Sequence, residues 1–202
     1  MLLEQFVIGP LQNFTYLVAD AEGGTGAVID PSYGVEPVLE AIDRHRVKVR
    51  YIFNTHSHQD HTAGNGEIRS RTGAKVVAHK LAPLAQEVSV DEGDHVEIER
   101  MTVAVLYTPG HTQDSVTYRF EGHLATGDTL FVGECGAVRA PGGDPRRLYD
   151  SLQRLAALEP GLIILPGHDY GATPTSTVGR EREENYTLKP RSREEFARFM
   201  AE

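Results

Sequence analysis

Thr55-His56-Ser57-His58-Gln59-Asp60-His61 follows directly on the apolar run Val49-Arg50-Tyr51-Ile52-Phe53 and packs three imidazoles and a carboxylate into a few positions. In extended backbone, side chains two apart share a face, so His56 and His58 can close on one ion from a single strand end. Asp60 and His61 follow where the chain must turn, and face either the same ion or a second one beside it. Imidazole nitrogen with carboxylate oxygen suits zinc, iron or manganese, and the absence of a nearby cysteine argues against a structural zinc knuckle. A polar loop that happens to be rich in histidine is the bland alternative. The scarcity of histidine elsewhere in the chain speaks against it.

Outward from this stretch, the first half reads as short strands over 3–8, 14–18, 26–29 and 49–53, punctuated by Gly9-Pro10 and Asp30-Pro31. Val35, Val38, Leu39 and Ile42 fall at helical spacing between the last two. A helix is expected over 63–71, capped by Gly73. Strands follow at 75–78, 94–98 and 101–107, then a hairpin of 116–120 with 123–126 over Glu121-Gly122. Leu148, Leu152, Leu155 and Leu158 mark an amphipathic helix, 162–165 a buried strand, and 178–186 and 193–200 two short helices. His111, Asp128 and His168 each stand just past a strand, so four strand ends can meet at one edge of a sheet system.

The 202 residues fit one domain over 1–202, with a hydrophobic content of 40% and a charged content of 24% that are ordinary for a globular protein. A formal charge of -9 argues against a nucleic-acid partner, which needs clustered Lys and Arg. No window approaches the ~20 apolar residues of a membrane span, and the N-terminus lacks the basic and apolar regions of a secretory signal. Cys135 is the single cysteine and is expected as a small core residue. A cytoplasmic location follows; nothing specifies an oligomeric state. Ser57 and Ser115 lie near histidines, but imidazoles engaged with metal are unavailable as bases, which discounts a serine mechanism.

Taken together, Thr55 to His61, Pro109-Gly110-His111-Thr112, Thr126-Gly127-Asp128-Thr129 and Pro166-Gly167-His168-Asp169-Tyr170 resemble the metallo-β-lactamase superfamily. The resemblance implies an αββα sandwich of two mixed β-sheets flanked by helices, with metals at one edge. It further implies that His56, His58 and His111 hold a first divalent metal, that Asp60, His61 and His168 hold a second, and that Asp128 bridges them. Zinc is the expected metal, with iron or manganese as alternatives. Two adjoining metals can activate water and clamp the attacked group, and zinc lowers the pKa of its water to about 7. In a one-metal version Asp60 is released to orient or deprotonate the water, so Asp60 and Asp128 are the catalytic candidates.

Within the superfamily, the run from Thr126 to Val132 leading into Cys135-Gly136, and Gly167-His168-Asp169-Tyr170, resemble the hydroxyacylglutathione hydrolases (glyoxalase II), thioesterases acting on glutathione adducts. Tyr170 matches a tyrosine that holds the glutathione moiety there. Two departures stand out. That family places a Lys or Arg directly after Cys-Gly, where this chain has Ala137, and adds a C-terminal helical domain largely missing here. Arg139 is the substitute cation. A second branch also fits: Ser176-Thr177, Glu181, Asn185 and 194–200 are similar to the tail of persulfide dioxygenases, which bind a single Fe(II) through the equivalents of His56, His111 and Asp128. The opening Gly9 to Val18 and the complete ligand set lean toward the hydrolase and a small-molecule thioester or thiol-derived substrate. Lactonase and β-lactamase readings fit less well. A non-catalytic binding module does not require so costly a cluster of buried polar groups.

Overall fold

The computed structural model describes residues 1–201. Its first half runs β1 (Leu2–Ile8), β2 (Asn13–Ala19), β3 (Thr25–Ile29), α1 (Glu36–His45), β4 (Lys48–Phe53), α2 (Gln59–Thr62), α3 (Asn65–Thr72), β5 (Lys75–His79) and β6 (Val88–Val90). The second half runs β7 (His95–Ile98), β8 (Met101–Tyr107), β9 (Val116–Phe120), β10 (His123–Gly127), α4 (Pro145–Ala156), β11 (Ile163–Pro166), β12 (Ser176–Thr177), α5 (Val178–Glu184) and α6 (Arg193–Phe199).

Two six-stranded sheets result, ordered β1-β2-β3-β4-β5-β6 and β12-β11-β10-β9-β8-β7. Both are mixed. β1, β2 and β3 pair antiparallel while β3 to β6 run parallel. In the other sheet only β10 and β11 are parallel.

Three apolar layers hold the sandwich together. Phe14, Tyr16, Phe53, Ile98, Met101, Tyr118 and Phe120 fill the space between the sheets. Val35, Val38, Ile42 and Ile68 close α1 and α3 onto the outer face of the first sheet. Leu148, Leu152, Leu155, Val178 and Phe196 close α4 to α6 onto the second. This is the αββα arrangement of two mixed sheets with flanking helices. Burying a leucine of this kind is worth roughly 1.5–3 kcal/mol, and Leu148, Leu152 and Leu155 are all at 0% exposure.

Local chemistry sets the element ends. Asp144 caps α4 by accepting from the Arg146 and Arg147 amides, with Pro145 at its first turn. Ser192 and Glu195 form a capping box on α6. Gly73 ends α3 at φ 74° as expected. The helix expected over 63–71 is present as α3, starting at Asn65, and a short α2 that was not expected precedes it where the chain rounds the histidine cluster. The helix expected to reach 186 ends at Glu184: Asn185 is extended, and its Nδ2 donates to the Glu134 carbonyl at 3.1 Å and to Glu181 Oε2 at 2.8 Å. β6 and β12 lie outside the strands expected from sequence. Cys135 is buried in the outer core, where burial pushes its thiol up to about 12. No helix among the described residues is long and apolar enough to cross a membrane.

Candidate metal centre

Seven side chains from four strand ends converge on the edge where the two sheets open. β4, buried between β3 and β5, delivers Asn54 and Thr55. Asp30, at the end of β3, receives the Thr55 amide at 2.7 Å and the Thr55 hydroxyl at 2.6 Å. These bonds fix the backbone from which His56 and His58 project. α2 then turns at once, and Asn54 Nδ2 donates to the His61 carbonyl at 2.8 Å, tying that turn back to the strand. His111 follows β8, Asp128 follows β10 and His168 follows β11.

The loop carrying His111 needs glycine. Gly110 sits at φ +141°, and a Cβ there would lie 2.2 Å from the Leu148 amide of α4. His168 is stitched to the β1–β2 turn, where its Nδ1 donates to the Leu11 carbonyl at 2.9 Å and the Phe14 amide donates to the Gly167 carbonyl at 2.8 Å.

Hydrogen bonds on the outer side of each ring select its tautomer. His111 Nδ1 lies 2.6 Å from the Ala137 carbonyl, an acceptor only, so the hydrogen sits on Nδ1 and Nε2 presents a lone pair. His168 is held likewise by Leu11. His61 Nδ1 faces Asp30 Oδ2 at 3.2 Å. His56 Nδ1 lies 3.1 Å from Thr55 Oγ1, whose hydrogen is already donated to Asp30. Four Nε2 lone pairs therefore point inward.

Inside, the ligand atoms form two groups. His56 Nε2 and His111 Nε2 stand 3.1 and 3.0 Å from His58 Nδ1. His61 Nε2 and His168 Nε2 are 3.2 Å apart, each 3.5 Å from Asp60 Oδ2. Asp128 reaches both groups: its Oδ2 lies 3.5 Å from His111 Nε2 and 3.2 Å from His168 Nε2, and its Oδ1 3.2 Å from His61 Nε2. That Oδ1 is buried with no hydrogen-bond partner.

Such a cluster fits metal ions. Tetrahedral zinc with Zn–N of about 2.0–2.1 Å sets its ligand atoms about 3.3 Å apart, the spacing seen in both groups. Lone pairs facing one another at this distance repel unless a positive charge lies between them. Burial holds His56 well below the ordinary imidazole range, with His61 adding to the effect. For His61 itself burial pulls downward, yet the Asp128 and Asp30 carboxylates outweigh it and push it well above. Asp128 is held well below the usual carboxylate range, burial being outweighed by His61 and His168.

Tyr170 is 51% exposed and stacks on His168, with ring centroids 4.7 Å apart and planes 10° from parallel. Burial of its ring, with the nearby Asp128 and Asp60, raises its pKa and keeps it a neutral phenol. Arg139 stands apart: it is exposed and lines a 240 Å³ cleft with Tyr186, Phe199 and Met200, and none of the seven clustered residues borders that cleft. Sequence reasoning missed Asp30 and Asn13. Asn13 Nδ2 donates to Asp60 Oδ2 at 2.8 Å and orients that carboxylate. The Asp30-Pro31 signal was visible, but it reads equally as a plain strand end.

Fold and site define a class: an αββα sandwich carrying a histidine–aspartate metal centre at its open edge. The chain belongs to the metallo-beta-lactamase superfamily, whose family profile matches residues 8–87 and 82–168. It is 40% identical to the hydroxyacylglutathione hydrolase of Anaeromyxobacter dehalogenans over 79% of this chain and 62% of that one, so it spans under two thirds of that relative's length. It is also 33% identical to the human mitochondrial persulfide dioxygenase ETHE1 over 99% of this chain and 80% of that one. The crystal structure of ETHE1 from Myxococcus xanthus superposes with a TM-score of 0.94 at 33% identity, covering 100% of this chain and 90% of the other.

Proposed function

We propose that the protein is a metal-dependent hydrolase of small-thiol thioesters. The observation that carries this reading is the assembly of two donor groups joined through one carboxylate, Asp128. His56, His58 and His111 would hold one divalent ion, and Asp60, His61 and His168 the other, with Asp128 shared. Zinc suits these donors, and iron and manganese are accepted by them too. When bound, such a pair makes water nucleophilic at neutral pH and polarises the attacked carbonyl.

The chain's own groups do the rest. With one ion bound, Asp60, its Oδ2 held by Asn13, would orient the attacking water and take up its proton; with two, it would help hold the second ion and the metal-activated water would need no separate base. Water oxygen adds to the thioester carbon, the C–S bond breaks, and the departing thiolate receives a proton, giving a carboxylate and a free thiol. Tyr170 presents its neutral hydroxyl at the exposed rim as a donor to the thiol carrier. Arg139, in the neighbouring cleft, is the cation available to a carboxylate of that carrier.

The end-to-end likeness to ETHE1 favours a second reading, a persulfide dioxygenase with one iron on His56, His111 and Asp128. Metal analysis of protein purified without chelator, run beside assays of S-lactoylglutathione hydrolysis and of O₂ uptake with glutathione persulfide, separates the two. Two metals with thioester turnover support the hydrolase. One iron with O₂ uptake overturns it in favour of the dioxygenase, and a metal content near zero with neither activity overturns both.

A further inference from the structure

We propose that Glu181 is a positioning residue for the metal centre: through the loop over 131–137 it holds the Ala137 carbonyl that fixes the tautomer of His111. The inference rests on the reading above only in placing an ion at His111.

Glu181 and Asn185 stand one helical turn apart at the end of α5 and are 2% and 0% exposed. Among the described residues Glu181 is in no ion pair, and the neighbouring Arg180 turns to Glu184 instead, at 2.8 Å. A carboxyl group buried this deeply is costly unless its oxygens are hydrogen-bonded. Its Oε2 accepts from the Gly133 amide at 2.7 Å and from Asn185 Nδ2 at 2.8 Å. Asn185 Nδ2 also donates to the carbonyls of Glu134 at 3.1 Å and Phe131 at 3.4 Å. Its Oδ1 accepts from the Thr187 amide at 2.9 Å and the Thr187 hydroxyl at 2.6 Å, which settles the end of the amide that faces the loop. Three backbone groups of the loop thus converge on two buried side chains of α5 and the residue that ends it.

The loop held in this way lies against the donors. The Gly136 amide donates to the Asp128 carbonyl at 3.0 Å, and the next carbonyl, that of Ala137, lies 2.6 Å from His111 Nδ1. A Cβ on Gly136 would stand 2.0 Å from the Asp128 carbonyl oxygen and 2.9 Å from His111 Nδ1. At the start of the loop, the Phe131 ring meets His168 edge-on, with centroids 5.7 Å apart. The tautomer of His111 therefore depends on where a backbone carbonyl is held. Moving that carbonyl away by about 1 Å takes the bond past hydrogen-bond length, and the imidazole is then free to carry its hydrogen on Nε2, the atom that faces the other donors. A brace that served stability alone would not distinguish the two donor groups. This one bonds to the partner of His111 and reaches His168 only through a ring contact.

The test follows His111 and His168 in ¹⁵N-histidine-labelled protein by long-range proton–nitrogen correlation, first metal-free at pH 8 and then through a zinc titration against a competing chelator. Wild-type His111 is expected to carry its hydrogen on Nδ1. Glu181→Ala leaves the Gly133 amide and Asn185 Nδ2 without their shared acceptor; it is expected to mix the two tautomers of His111 and to weaken zinc binding there about tenfold to a hundredfold, with a change of less than about threefold at His168. Glu181→Gln, whose amide oxygen can stand where Oε2 does, is expected to restore both readouts. Should Glu181→Ala fail to fold, Glu181→Asp, one methylene short of the Gly133 amide, is read by the same two criteria. A wild-type His111 with its hydrogen on Nε2 overturns the proposal without any variant. A folded Glu181→Ala protein with the wild-type tautomer and zinc affinity overturns it too, as does equal weakening at both histidines or a Glu181→Gln protein no better than Glu181→Ala. The tautomer is read without metal, so a wild-type protein that shows it but takes up no zinc refutes the metal reading alone. Zinc uptake with thioester turnover, and His111 unmoved in Glu181→Ala, refutes the positioning role alone.

Discussion

Replacing Asp30 by Asn is expected to strip one metal from the centre and leave the other. Asp30 sits at φ 48°, a left-handed conformation that Asn tolerates, so the substitution keeps both shape and backbone. Its carboxylate accepts from the Thr55 amide, the Thr55 hydroxyl and His61 Nδ1. An Asn can keep the first through its carbonyl oxygen, but its NH₂ must then face Thr55 Oγ1 and His61. His61 accommodates that donor by moving its own hydrogen from Nδ1 to Nε2, where a metal needs the lone pair. Loss of an outer hydrogen-bond partner of this kind costs about 10- to 100-fold in metal affinity, which is about 1.4–2.8 kcal/mol. The loss falls first on the ion proposed at Asp60, His61 and His168, because His61 bonds Asp30 directly, whereas His56 is tied to Asp30 only through the Thr55 hydroxyl and His58 and His111 have no hydrogen bond to it. Competition against a colorimetric chelator, with circular dichroism to verify folding, would show two equal steps in the wild-type protein and one strong and one weak step in Asp30→Asn. Two wild-type affinities in the variant, or equal weakening of both, would refute the account of how Asp30 acts.

Other outcomes follow from the same geometry. Gly167→Ala places a Cβ 2.2 Å from Asp128 Oδ1 and 2.9 Å from His61 Cε1, so metal content and kcat/KM should both collapse while the circular dichroism spectrum is retained. His45 bonds first to Glu22 and also to Glu4, and its pKa is raised. The resulting stability is fully present below the ordinary imidazole value of about 6.5 and is lost as pH rises through the raised folded value; His45→Gln should flatten the urea midpoint across that window. The Cys135 thiol, pushed up to about 12 by burial, should resist a thiol-disulfide reagent at pH 8 in the native protein and react promptly once unfolded.

The clustered donor side chains were legible because they fall into patterns. Four stand within one turn of chain, and the other three each close a strand with a Gly-His or Gly-Asp step. Strong apolar periodicity made α1 and α4 visible as well. What supports the ligands was hidden, since Asp30 meets His61 across 31 residues, Asn13 meets Asp60 across 47, and Leu11 meets His168 across 157. The carbonyls of Leu11 and Ala137 carry no side-chain signature at all. β12 has only two residues, Ser176 and Thr177, and exists through its pairing with β11 rather than through any pattern of its own.

The order of the sheets has a consequence for how the chain could be cut. β1 to β6 are one uninterrupted length of polypeptide and β7 to β12 another, joined at the Asp91-Glu92-Gly93-Asp94 turn. His56, His58, Asp60 and His61 belong to the first length, and His111, Asp128 and His168 to the second. Neither fragment owns all the donors of either proposed ion. Metal uptake would thus report on the reunion of two half-proteins, and any event that parts them would release a bound ion.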